Sequence, residues 1–190
     1  MVSVFLICNN DYWLSIYAIE NLLKNSGGVE LELLVIVNGE DKRIIQYLST
    51  IIDSKKYLNL ITVGIVENED SLEKLFLEAK GEYICLFNPY TIVNQHWLMD
   101  LVYYNYNIQN SGISAIYYGL NNNKFKPLIS HNDEFINVWQ TNDNIVSGVF
   151  LFKKDFLQQP IYQEQDIIDY FTKNGYLNYY IPTQNSIKII

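Results

Sequence analysis

The chain has 190 residues, the length of one domain, and can bury a single sizeable core. With 49% apolar and 18% charged residues it belongs with globular proteins rather than disordered ones. A net charge of −8, with adjacent basic pairs only at Lys42-Arg43, Lys55-Lys56 and Lys153-Lys154, argues against a nucleic-acid partner or docking to anionic lipid. Cys8 and Cys85 lie far apart in apolar runs without metal-ligand spacing, so they are expected to be buried thiols of a reducing compartment. No apolar run reaches the roughly 20 residues of a membrane span, and no basic leader precedes the first strand pattern. The expectation is a soluble, cytoplasmic chain, peripheral at the inner face of the membrane only if a substrate or partner recruits it.

Val2 to Cys8 is a nearly continuous β-favouring run, as expected for a strand covered on both faces. Asn9-Asn10-Asp11 offers caps for a helix with Leu14, Ala18, Ile19, Leu22 and Leu23 on one side, ended by Gly27-Gly28. Leu33 to Val37 is a second buried strand, and Asn38-Gly39 a turn into a helix bearing Ile44, Leu48, Ile51 and Ile52. Leu58 to Val66 reads as strand three. Asp70-Ser71-Leu72-Glu73 reads as a capping box for a helix with Leu72, Leu75, Phe76 and Ala79 as its stripe, closed by Gly81. Strand four is Tyr83 to Phe87, and Asn94 is expected to cap a helix with Trp97, Leu98, Leu101 and Val102 inward. Ser114 to Tyr118 reads as strand five.

Residues 120–144, rich in Asn and charge, read as a loop excursion before a β-favouring stretch from Ile145 to Phe152. A helix around Ile167, Ile168 and Phe171 and a short strand before Pro182 complete the chain. This alternation predicts a single α/β domain over 1–190 with a doubly wound, mostly parallel, Rossmann-like sheet, and ligand binding at the strand carboxyl ends near a switch point. Cys8-Asn9-Asn10, Asn38-Gly39-Glu40 and Asn88-Pro89-Tyr90 would share that rim.

Several sites are excluded. The first strand-to-helix turn has no glycine, which removes a GxGxxG cradle, and neither GxxxxGK[ST] nor a Gly-x-Ser-x-Gly elbow occurs. His96 and His131 lack metal-ligand partners in the sequence and read as a helix-start and a loop residue.

Taken in order, the remaining motifs resemble those of the family 2 glycosyltransferases, which have the GT-A fold. The opening strand with Asn10, then Leu34-Val35-Ile36-Val37-Asn38-Gly39, Glu67-Asn68 and Ala79-Lys80-Gly81-Glu82-Tyr83-Ile84 each match a family segment. Leu86-Phe87-Asn88-Pro89-Tyr90-Thr91 is similar to the Leu-Leu-Asn-Pro-Asp-Thr signature of rhamnosyltransferase-like members. Gly148 to Lys153-Lys154 resembles its Gly-x-x-x-x-x-Arg-Arg segment, Glu164-Gln165-Asp166 its acidic motif, and Gly175-Tyr176 with Ile181-Pro182 its close. The resemblance implies a nucleotide-binding half, 1–119, and an acceptor-side half, 120–190.

It further implies nucleotide contacts from Cys8, Asn10, Asn38, Asn68, Asn88 and Tyr90, and a base for the acceptor hydroxyl in Glu164 with Asp166 beside it. Both acids also suit the cap of the helix that follows, where negative charge is favourable. The resemblance implies Mg²⁺ or Mn²⁺ at the end of the strand-four motif, but Tyr90 stands where the family has Asp, so no cofactor is assigned. Ser71-Leu72-Glu73 departs from the family's Ala-Arg-Asn, and Asn38 from its base-reading carboxylate. Trp13, Tyr90, Trp97 and Trp139 are candidate stacking residues, with core packing expected for Trp97. Two expectations follow: inverting sugar transfer from a nucleoside-diphosphate sugar to a glycan or glycolipid, or an inactive relative retained as a binding or assembly module. A partner glycosyltransferase or a second copy would suit the latter.

Overall fold

In the computed structural model, which describes residues 1–8, 11–37, 41–54, 61–67, 72–116, 126–129, 135–140, 148–156 and 164–181, strands and helices first alternate as the periodicities require. β1 (Val2–Cys8), α1 (Tyr12–Asn25), β2 (Leu31–Val37), α2 (Lys42–Ser54), β3 (Ile61–Glu67), α3 (Leu72–Glu78), β4 (Tyr83–Phe87) and α4 (Trp97–Asn107) come in turn. β5 (Ser111–Ile116), β6 (Lys126–Ile129), β7 (Phe135–Gln140), β8 (Val149–Lys153), a 3-10 turn, α5 (Glu164–Lys173) and β9 (Leu177–Ile181) follow.

One sheet contains all nine described strands, in the order β3-β2-β1-β4-β8-β5-β9-β7-β6. β1 pairs in parallel with β2 on one side and β4 on the other, and β2 pairs in parallel with β3. The chain thus winds outward through β2 and β3, then returns to the other flank of β1. The switch point lies between β1 and β4. β8 and β7 run against the rest, so four of the eight pairings are antiparallel although most strands point one way.

Strands buried on both faces need apolar residues at every position, which explains the continuous runs in β1, β2 and β4. Val4, Leu6, Cys8, Leu33, Val35 and Cys85 face one layer with α1, α2 and α4. Phe5, Ile36, Ile84 and Leu86 face the other, against α3 and α5. The expected stripes pack accordingly: Ala18, Ile19 and Leu22 of α1, Ile44 and Leu48 of α2, and Leu75 and Phe76 of α3 are buried. Ile52 turns outward at 37% exposure, leaving Ile51 to close the α2 stripe.

Three expectations are corrected. Strand five starts at Ser111, earlier than its apolar peak suggested, while Tyr117 and Tyr118 lie outside the described residues. Strand three is described as Ile61–Glu67, and positions 58–60 of its expected span lie outside the described residues. The 120–144 stretch is no pure excursion: β6 and β7 pair antiparallel within it, and β7 joins β9. Its Phe135-Ile136-Asn137-Val138-Trp139 carries β-branched and aromatic residues, and Pro127 is tolerated because β6 is the sheet edge. Of the stretch expected from Ile145 to Phe152, Val149–Lys153 is a strand, and residues 145–147 lie outside the described residues. Asn94 does not cap α4 with its side chain; His96, in the left-handed region at φ 68°, precedes the helix without a side-chain cap. The Asp70-Ser71 capping box lies outside the described residues.

At the amino ends of the strands a buried carboxylate ties three segments together. Glu32 Oε2 accepts from the Ser3 hydroxyl at 2.6 Å and from the Lys80 backbone N–H at 2.9 Å. Gly81 N–H donates to Ser3 Oγ at 2.8 Å, an approach that leaves no room for a side chain on Gly81. This clip sets the entry of β4 beside β1, and hence the height of the β4 tip.

Candidate functional site at the carboxyl ends of the central strands

The tips of β2, β1 and β4 are immediate neighbours. Cys8 is the register partner of Val37, and Leu6 of Phe87. Asn10 and Asn38, which follow β1 and β2, and Asn68, which follows β3, lie outside the described residues, whereas Cys8, Asn88 and Tyr90 lie within them.

The β4 tip is a tight, internally bonded turn. Asn88 N–H donates to Gly148 O at 2.6 Å, anchoring it to the start of β8. Thr91 N–H donates to Asn88 O at 3.0 Å, and Tyr90 N–H to the Asn88 side-chain oxygen at 2.9 Å. This is an Asx turn, the local bond that Asn forms with backbone two residues on. It leaves the Tyr90 ring half-exposed at 48%.

Beyond the turn the chain is pinned to α1. Asn21 Oδ1 accepts from Val93 N–H at 2.7 Å, while Asn21 and Asn25 donate to Val93 O at 3.2 and 3.0 Å. Trp97 is packed in the core, as expected, edge-on to Phe87 at 5.4 Å, with its indole N–H donating to Ser26 Oγ at 3.1 Å. Trp13, by contrast, is 76% exposed in the first turn of α1. Trp139 lies on β7.

Cys8 ends β1 with its side chain wholly buried in the α1–α2–α4 layer, and burial pushes its thiol up to about 11 despite a bond from Ser15. Burial raises Cys85 still further. Neither is a nucleophile at neutral pH.

α5 opens with Glu164, Gln165 and Asp166. Its last turn leads directly into β9, where Leu177 N–H donates to Asn110 O at 2.9 Å beside the start of β5. β9 runs parallel to β5. Gln165 bonds Asp169 at 2.8 Å, and Ile167, Ile168 and Phe171 bury the opposite face.

The basic pair at the end of β8 is placed away from the rim. Lys153 is the register partner of Tyr83, at the amino end of β4, and pairs with Glu82 at 3.7 Å. Lys154 Nζ donates to Leu77 O and Ala79 O at 3.2 and 2.7 Å, capping α3. Cationic side chains on the rim side come instead from the start of α2, at Lys42 and Arg43. Sequence reasoning passed over Arg43, and Asn21 as well; Asp41 two residues before Arg43 was the available signal for the first.

Hard divalent cations take several oxygen ligands, preferably carboxylates. At the β4 tip the Asn88 amide oxygen already accepts from Tyr90 N–H, and Tyr90 presents a phenol. Among the described residues no three His, Cys, Asp or Glu side chains converge. The β4 tip does not supply a donor set that fits such an ion.

No protein-family model and no curated protein sequence matches the chain. Solved structures do. The mannosyltransferase PcManGT from Pyrobaculum calidifontis, in complex with GDP-Man and Mn²⁺, superposes with a TM-score of 0.70 at 14% identity over 95% of this chain. S. aureus TarS 1-349 in complex with UDP superposes at 0.64, with 15% identity over 96% of it. This is a GT-A fold. The chain spans 54% of the length of the mannosyltransferase chain and 60% of the TarS fragment. In the GT-A fold of this chain, the Asx turn at Asn88 lies at the carboxyl end of β4, beside the switch point between β1 and β4. Among the described residues no helix is long and apolar enough to cross a membrane.

Proposed function

We propose that this GT-A-fold chain binds a nucleoside-diphosphate sugar over the β2, β1 and β4 tips and transfers the sugar to a glycan or glycolipid hydroxyl with inversion. The observation that carries the reading is the adjacency of those three tips at the switch point, the place where open α/β sheets bind ligands. Support comes from two solved neighbours of the same fold, whose complexes hold UDP and GDP-Man.

In the proposed step the acceptor oxygen attacks the anomeric carbon opposite the diphosphate. Its bond to that carbon forms as the bond to the diphosphate oxygen breaks, and the hydroxyl proton passes to Glu164 or Asp166. The leaving diphosphate carries the developing negative charge and needs positive partners. Lys42 is a described cation on that side, and exposed backbone amides with the Tyr90 phenol would complete the set. The nucleotide contacts of this reading are Asn10, Asn38, Asn68, Asn88 and Tyr90, with Cys8 supporting from beneath.

A second reading rests on the β4 tip itself, where Tyr90 and the engaged Asn88 amide replace a metal-holding motif. Under it the chain keeps the fold as a binding or assembly module, for a partner glycosyltransferase or a second copy. Isothermal titration with UDP-, dTDP- and GDP-sugars, with and without Mn²⁺, followed by product assay on glycan acceptors, separates the two. Nucleotide binding with turnover supports the transferase; binding without turnover on any acceptor supports the module; no binding sinks both.

A further inference from the structure

α1 and α2 begin side by side because they follow β1 and β2, whose last residues are register partners. Their first turns meet through Arg43. The guanidinium carbon lies 4.5 Å from the centroid of the Tyr12 ring. Nε and Nη2 donate to Asp41 Oδ1 and Oδ2 at 2.9 and 2.6 Å. Asp41 also accepts the Arg43 backbone N–H at 3.1 Å, so one carboxylate starts the helix and clamps the side chain. Tyr12 is in turn braced edge-on by Trp13, with ring centroids 5.0 Å apart.

A surface arginine ordinarily samples many rotamers; here a stacked ring and a bidentate acid hold it in one. The guanidinium lies over the Tyr12 ring and one edge is committed to Asp41. The side chain is nevertheless 62% exposed at the start of α2, the helix that follows the β2 tip. Asp41 takes the Nε/Nη2 edge, one of the two bidentate edges that arginine offers a phosphate, and its charge offsets that of the guanidinium. Beside the remaining Nη hydrogens, what is on offer is a pre-oriented, weakly hydrated, charge-balanced plane, which suits a planar aromatic ring over a second anion.

We infer that the Arg43 guanidinium, held by Asp41 and Tyr12, is the stacking floor for the nucleobase of the donor, and so a specificity-determining residue. The inference rests on the nucleotide-sugar reading above and assigns the base, not the diphosphate, to Arg43.

The test titrates the full chain and its Arg43→Lys and Arg43→Ala variants with UDP, GDP, the matching nucleosides uridine and guanosine, and pyrophosphate. Stacking predicts a loss of about tenfold in affinity for the nucleotide that the wild-type chain binds, and a similar loss for its nucleoside, in both variants. Lysine keeps the charge but not the plane, so it does not rescue. Pyrophosphate binding stays unchanged, and the loss persists at about 0.5 M salt, where charge attraction is screened. Because Arg43 is exposed, melting temperatures of the variants should match the wild type, which separates binding from folding. Wild-type affinity in Arg43→Lys, or a loss confined to pyrophosphate and abolished by salt, overturns the inference and leaves the transferase reading standing. A wild-type chain that binds no nucleotide or nucleoside overturns both.

Discussion

Replacing Asn21 with Ala removes the clamp between α1 and the segment that follows the Asn88 turn. Asn21 Oδ1 is the acceptor for Val93 N–H at 2.7 Å, and Val93 is 1% exposed, so water does not easily replace it. An orphaned buried N–H costs about 1–3 kcal/mol. The lost donation to Val93 O is partly covered, because Asn25 still donates to that oxygen at 3.0 Å. Together these give about 2–3 kcal/mol of destabilisation, which for a chain of this size is a fall of about 5–10 °C in melting temperature. Asn21→Asp should lose less, since a carboxylate oxygen still accepts from Val93 N–H while facing Val93 O unfavourably. The assay is thermal and urea unfolding of both variants, with hydrogen exchange at the Val93 amide. Exchange there should quicken at least about tenfold in Asn21→Ala, in line with the free-energy loss. Nucleotide affinity should fall with it if the Tyr90 turn forms part of the site. A melting temperature within about 1 °C of wild type, with Val93 still protected, would refute the reasoning.

Cys8 titrates near 11 against an ordinary 9.0 because burial disfavours its thiolate. A raised folded value contributes stability that is complete below pH 9 and declines as pH rises through 9 toward 11, by about 2–3 kcal/mol. Iodoacetamide at pH 8 should therefore label Cys8 and Cys85 only after unfolding, as mass spectrometry would read out; rapid native labelling would contradict their burial. Gly81→Ala would set a Cβ 2.4 Å from Ser3 N and 2.7 Å from Ser3 Oγ, and should cost more than about 3 kcal/mol in urea unfolding. Gly27→Ala, with no atom within 4 Å of its Cβ, is the near-neutral control. Glu164→Gln and Asp166→Asn should separate catalysis from capping. The base should lose about 10²–10⁴-fold in turnover with nucleotide affinity kept, whereas a cap should lose about 0.5–2 kcal/mol of stability with turnover unchanged.

Much of the core was legible in the chain because burial on both faces leaves a local trace. Val2 to Cys8 could hardly be anything but a covered strand, and Asp11 announced α1 by chemistry confined to one turn, its carboxylate accepting Leu14 N–H at 3.0 Å. β6 and β7 were harder to see. Their stretch is rich in Asn and charge, and an edge strand tolerates Pro127 and polar residues that an interior strand does not. Tyr90 could be recognised as a departure by comparison with a motif. That its own N–H engages the Asn88 amide oxygen needed the geometry of the turn.

The amino-acid sequence by itself determined most of the buried stripes, the start of α1 at Asp11, and that strands and helices alternate, because hydrophobic period and capping act over a few neighbouring residues. Only the tertiary structure decided that β1 sits between β2 and β4, that Asn21 holds Val93 across 72 positions, and that Arg43 lies on Tyr12. Those pairings are set by sheet order and by the packing of helices onto it. The same local patterns are compatible with more than one order until the long-range contacts form.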